Sequence, residues 1–372
     1  MRAAQGTVGV LTVNFGEPSE LSLEAVIPFL ERIFLQNAGL ERVENGRARA
    51  EELARRRAPS LLDEYRAIGG SPLNDQAERQ ARGLESALLA AGYDVVVAQG
   101  YQFTRPFIDD GLQELREAGV DRVVVLPVYP LCGRSTSVAA LEAVDSALGE
   151  SGWGVSWTGV TGWHHHPEYT ELRAANIRRY CLEHDLDPTD PDTILYFSAH
   201  GTPARYLSEG SRYDRYVQEH CAAVAAAVGA DRWTVGFQNH TNRGVPWTVP
   251  DNEDRLREVA ERRLIVEAVS FVHEQSETLG ELDRELRDFA EAMGKEFHRV
   301  PVPHADPALV EVLRGVVEHA MTSPEGDALL ARCRCHPVSN ALCTNARRTL
   351  PPSSFVPACE GQAPCTMQSA RP

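Results

Sequence analysis

No stretch of this chain approaches the run of about 18 apolar residues that a membrane-spanning helix needs, so no transmembrane segment is predicted. The opening MRAAQGTVGVLTVNFGE has only a short, glycine-interrupted apolar stretch before an acid, which is not the pattern of a secretion signal. A cytoplasmic location is the expectation, with contact to a membrane surface left open. Positive charge is short too. Against 53 Asp and Glu stand 37 Lys and Arg, a formal net charge of −16, so the average surface repels a phosphate backbone and nucleic acid is not an expected partner. There is no fixed-period repeat of the solenoid kind. Cysteine is sparse over most of the 372 residues, yet five of the eight fall at Cys333, Cys335, Cys343, Cys359 and Cys365. In a reducing compartment such clustering points to metal rather than to disulfides.

What is present is an alternation of short β-branched runs and helical patterns. Thr7 to Phe15, Tyr93 to Tyr101, Asp121 to Pro130 and Val155 to Trp163 make one set of strands. Thr193 to His200, Trp233 to His240, Arg263 to Val272 and Phe297 to Pro303 make a second. Near-continuous apolar strands separated by helix-length segments predict parallel sheets covered on both faces. The expected fold class is therefore α/β: two similar doubly wound lobes, each with a four-stranded parallel sheet, with a cleft between them and a Cys-rich C-terminal tail. The lobes are expected at 1–165 and 166–305, with a helix at 306–322 packing back on the first. The tail, 323–372, has no periodicity and reads as a separate unit. Between the strands, Ala77 to Gly92 and Gln218 to Ala230 read as helices, the first closing on the glycine that suits a helix end.

Ligands of open α/β sheets bind beyond the carboxyl ends of the strands. One strand ends in FSAHGTP, placing His200 where a side chain able to act as a neutral base belongs. The alternative is a histidine that merely caps the strand. Downstream, Glu277, Glu281 and Glu285 stand four residues apart, a spacing at which like charges on a helix repel by about 0.2–0.5 kcal/mol per pair. Leu279, Leu282, Leu286, Phe289 and Met293 define the buried stripe of that helix. The acids form either a solvated face softened by Arg284 and Arg287, or a row of oxygen ligands and proton acceptors. The run GWHHHPEY invites a zinc or iron reading, against which stands that three consecutive histidines cannot all point one way from a strand end. Cys181 and Cys221 lie in helical segments and read as packed hydrophobes.

The ordered set of segments resembles the ferrochelatase family. LTVNFGEPSELSLEAVIPFLERIFL is similar to the family's opening strand, turn and lip helix, and EYRAIGGSPLNDQAERQ to a second family segment. GYQFTRPFIDDGLQELREAGVDRVVVLPVYP, FSAHGTP, the set Gln238, Trp247 and Pro250, and SETLGELDREL complete the order. The resemblance implies insertion of Fe²⁺ into a porphyrin, protoporphyrin IX or coproporphyrin III, with release of two protons and haem as product. It makes His200 the active-site histidine and Glu277 the acid of the family's ETL motif. Glu281 and Glu285 continue the acidic row, and all four are candidate metal contacts. Phe15, Phe29, Tyr129 and Trp247 become candidate porphyrin walls. The chain departs from the family in carrying Gln275 where many relatives have a histidine, with His273 two positions earlier, and in a Gln238 loop one residue longer.

Some relatives hold a [2Fe–2S] cluster on three C-terminal cysteines and one internal one. The resemblance implies such a cluster here on Cys333, Cys335, Cys343 and Cys132, with Cys359 or Cys365 as substitutes for Cys132. A cluster of this kind needs four ligands. The competing readings are a chelatase for another metal or tetrapyrrole, and a non-catalytic tetrapyrrole carrier or sensor.

Overall fold

A computed structural model describes residues 6–40, 45–239, 245–322, 329–333, 338 and 340–345. The chain divides into two compact units. Among the described residues, the first comprises those within 1–172, 271–285 and 301–347, the second those within 173–270 and 286–300. Residues 271–285, which carry the start of the acidic helix, cluster with the first unit rather than with their sequence neighbours.

In the first unit the strands are β1 (Val8–Asn14), β2 (Val95–Tyr101), β3 (Arg122–Pro127) and β4 (Ser156–Gly162). In the second they are β5 (Thr193–His200), β6 (Trp233–Gln238), β7 (Arg263–Ala268) and β8 (Glu296–Val300). The first sheet runs β2-β1-β3-β4 and the second β6-β5-β7-β8, all parallel, so each unit lays its own second, first, third and fourth strands side by side. The central strands are buried along most of their length because both faces are covered: β1 is buried at all seven positions. Some strands stop short of their apolar runs. β7 ends at Ala268 opposite Ser198, two residues before β5 turns away after His200.

The tail departs from expectation. Its described pieces are not a separate unit: β9 (Ala331–Arg332) and β10 (Ala341–Cys343) extend the first sheet beyond β4, β10 parallel to β4 and β9 antiparallel to β10. An exposed sheet edge offers unpaired N–H and C=O groups to any segment of suitable length. Here Gly159 donates to the Asn340 carbonyl at 3.0 Å and Thr344 to that of Gly162 at 3.1 Å. Three-residue strands are too short for a periodic signal.

Helices α1 (Leu23–Gln36), α2 (Gly46–Ile68) and α3 (Leu73–Ala90) also belong to the first unit. Helix Pro307–Thr322 buries Leu309, Val312, Leu313, Val316 and Val317 in a core shared with Leu84 and Leu88 of α3. No helix among the described residues is long and apolar enough to cross a membrane.

Candidate functional site

His200 is the last residue of β5, half-buried, and its backbone N–H donates to Ser270 Oγ at 2.9 Å. The Ser270 hydroxyl is in turn 2.9 Å from the Tyr213 hydroxyl. The His200 ring places Nδ1 2.5 Å from the carbonyl oxygen of Gly201. A carbonyl can only accept, so in the neutral ring the proton sits on Nδ1 and Nε2 carries the basic lone pair. The half-buried Trp247 lies beside it, its ring centroid 6.4 Å away at 63°. Two sequence candidates are thus brought together in the second unit, by a backbone bridge between Pro203 and Trp247.

In the first unit the acidic segment is not an α-helix. Glu277–Leu286 is a ten-residue π-helix, continued by an α-helix at Arg287–Ala292. Its hydrogen bonds run i→i+5, a form that occurs mostly as short bulges at functional sites. The expected leucine stripe therefore holds only in part. Leu282 and Leu286 are buried, but Met293 is 41% exposed, and Phe289 is half-buried under the Arg257 guanidinium at 4.9 Å. Glu277 and Glu281 are half-buried and Glu285 is exposed.

One cation that feels the outer two acids, Arg57, was not legible in the sequence. Arg284 donates to the Ala67 carbonyl and Arg287 to that of Phe297. Arg57 of α2 instead pairs with both oxygens of Glu64 at 2.7 Å and feels Glu281 and Glu285. Its pKa is raised, first by the bond to Glu64 and to a lesser degree by those two acids.

Glu277 accepts from Gln275 Nε2 at 3.0 Å. Its negative charge also raises the pKa of three neighbours, Glu17, Tyr65 and Tyr129, each of them raised mainly by burial. Glu277 and Tyr129 therefore share one neighbourhood, and the Tyr129 hydroxyl donates to Gln102 Oε1 at 2.6 Å. Phe15 is half-buried against the rings of Phe29 at 5.9 Å and Phe103 at 4.6 Å. Phe29 itself is 3% exposed, inside the core formed by α1 and α2.

Cys132, Cys333 and Cys343 are all buried in the first unit, while Cys335 lies outside the described residues. A β-carbon on Gly162 would lie 3.0 Å from Cys132 Cβ, and Gly162 is the sheet partner of Cys343. The Cys333 N–H donates to the Ala341 carbonyl at 2.7 Å, two residues from Cys343. The tail strands thus carry two cysteines to the edge where Cys132 sits. Cys181 and Cys221 are buried in helices Pro167–Glu183 and Tyr213–Val228, and burial raises both thiol pKa values, that of Cys181 to about 11. The three histidines 164–166 fall between β4 and helix Pro167–Glu183, and burial lowers the pKa of His166.

The ferrochelatase family model matches residues 7–321. A ferrochelatase of Synechococcus sp. strain RCC307 is 31% identical over 348 residues, covering 89% of this chain and 88% of the relative. That of Synechococcus sp. strain JA-3-3Ab is 34% identical over 328 residues, covering 85% and 94%. Among solved structures, CbiX, the terminal enzyme of siroheme biosynthesis in denitrifying bacteria, superposes with a TM-score of 0.48 at 15% identity, over 84% of this chain and 99% of CbiX.

Proposed function

The chain belongs to the ferrochelatase family and inserts ferrous iron into a porphyrin with release of two protons, a step of haem biosynthesis; on that premise we propose how its own residues divide the reaction. Fe²⁺ replaces two pyrrole protons, so a base must receive hydrogen ions while oxygen or nitrogen ligands deliver the metal. In this reading His200 takes the first pyrrole proton on Nε2. Glu277 takes the second and hands iron to the ring nitrogens, with Glu281 and Glu285 as outer rungs of the same row. The observation that supports the assignment best is the Gly201 carbonyl at Nδ1, which leaves Nε2 as the basic nitrogen of the ring.

Phe15, Tyr129 and Trp247 are the proposed aromatic surfaces for the macrocycle, Phe29 backing Phe15 from the core. A tight apolar wall can hold the ring bent so that nitrogen lone pairs leave its plane, at a cost of about 1–5 kcal/mol drawn from binding. The reaction also needs a reducing compartment in which ferrous iron persists, and a cytoplasmic location is part of this reading.

The test is anaerobic turnover with Fe²⁺ and porphyrin. His200→Ala should lower turnover by about 10²–10⁴-fold, the usual worth of a positioned proton acceptor, while porphyrin still quenches the intrinsic fluorescence of the protein. Undiminished turnover removes His200 from the mechanism.

The cysteine set fits a [2Fe–2S] cluster in donor chemistry, since Cys132 and Cys343 both adjoin Gly162 and Cys333 directly follows the strand paired with that of Cys343. In this reading Cys132, Cys333, Cys335 and Cys343 hold it. When bound, such a cluster supplies one-electron redox capacity and thiolate crosslinks between the tail and the first sheet. Protein purified without air should show visible cluster absorption that Cys343→Ser abolishes; a colourless protein sinks the assignment.

A further inference from the structure

Glu17 follows the first strand at a turn that only glycine accommodates. Gly16 has φ +78°, and a β-carbon there would lie 2.6 Å from Tyr101 Cβ. Both backbone polar groups of Glu17 are tied to one side chain. Its N–H donates to Asn74 Oδ1 at 3.1 Å, and its carbonyl accepts from Asn74 Nδ2 at 2.8 Å. The side chain is 4% exposed and is met by hydroxyls. Tyr65 Oη donates to Oε1 at 2.8 Å, Ser276 Oγ also donates to Oε1, and Ser71 Oγ donates to Oε2. The Ser276 backbone N–H donates to Oε2 at 3.3 Å.

Ser276 is the residue before Glu277, the first residue of the π-helix. One carboxyl therefore grips its backbone and its side chain together, across 259 positions of sequence. A carboxylate has about four acceptor sites, and these donors fill them. Gln275, on the other side of Ser276, donates to Glu277 directly, and its own N–H is fixed by Thr278 Oγ1 at 2.9 Å. The segment is thus clamped on both sides of the peptide that carries the acid.

We propose that Glu17 is a positioning residue for the iron-insertion reaction: it clamps Ser276 and so fixes where the Glu277 carboxylate starts the acidic π-helix. This rests on the reading of Glu277 as a reacting carboxylate. Groups that orient a ligand through one intermediate hydrogen bond typically matter by about 10–100-fold in metal affinity or activity. A bond that only held the fold together would lower stability without favouring one substrate over the other.

The experiment is a double-mutant cycle in steady-state kinetics with Fe²⁺ and porphyrin varied separately, on the full chain. Glu17→Gln and, as the milder change, Ser276→Ala should each raise KM for iron about tenfold while KM for porphyrin stays within about twofold. Placed on a Glu277→Gln background, neither should lower kcat/KM further, because the group they aim is already gone. Should Glu277→Gln depress turnover while Glu17→Gln and Ser276→Ala leave iron kinetics as they were, or multiply with it in full, the clamp is overturned and the role of Glu277 survives. A silent Glu277→Gln overturns both. If Glu17→Gln fails to fold by thermal melting, Ser276→Ala decides.

Discussion

Glu267 in the second unit and Glu17 in the first are both almost fully buried carboxyls, 1% and 4% exposed, and they are met in opposite ways. Glu267 at the end of β7 faces the guanidinium of Arg173, itself 0% exposed, at 2.5 Å, and Arg173 also donates to the Ala268 carbonyl at 2.6 Å. Charge meets charge in the interior of a sheet. Glu17 is met instead by three hydroxyls and a backbone N–H at the buried turn after β1. An ion pair neutralises, whereas a fan of hydroxyls mainly fixes direction. The first arrangement holds a core together, and the second aims what is attached to it.

The sharpest way to break that contrast is to remove the cation. Arg173→Ala takes the guanidinium away from a buried carboxylate and should cost about 3–5 kcal/mol of stability, read as a lowered urea midpoint with an unchanged slope. Turnover per folded molecule should stay within about twofold. A variant that keeps its midpoint, or that loses turnover while folded, would mean that Glu267 is not structural.

Acid should act next, and chiefly through histidines. Burial lowers the pKa of His273 to about 3 from its ordinary value of about 6.5, with the nearby His304 adding to the effect. The unfolded chain therefore takes up this proton near pH 6.5 and the folded one does not. Stability is full above that pH and falls as the pH drops towards 3, by an amount on the order of a few kcal/mol. Burial lowers His304 and His298 in the same direction. His273→Asn should flatten the slope of stability against pH in that window; an unaltered slope would show that His273 is protonated in the folded protein.

Gln275→Ala removes one donor to the Glu277 carboxylate and should raise KM for iron by about three- to tenfold, less than the loss of the Glu17 clamp. The smallest effect belongs to the outermost acid. Glu285 is exposed, and Glu285→Gln should change kcat/KM for iron by less than about twofold, with Glu281→Gln between it and Glu277→Gln. A reversed order along the row would undo the idea that iron passes from the outer rungs to Glu277.

Much of this was legible beforehand. The eight parallel strands, their grouping in fours and the place of His200 at a strand end follow from apolar runs, because a strand covered on both faces has to be apolar along its length. Less could be read where few residues or distant ones decide. Three-residue β10 and two-residue β9 are too brief to leave a period, so the tail looked structureless. The π-helix has the composition of an α-helix, and 100° spacing assigned Met293 to a core that it does not enter.

The chain by itself determined which segments are strands, which residues could do acid–base chemistry and how the charge is balanced. These are properties of side-chain type and local spacing. Only the tertiary structure decided that Arg57 of a distant helix stands near the outer acids, that Cys343 adjoins Gly162 next to Cys132, and that Glu17 holds Ser276. A hydrogen bond depends on ångström distances, here between groups 259 positions apart, and composition and period carry no record of that proximity.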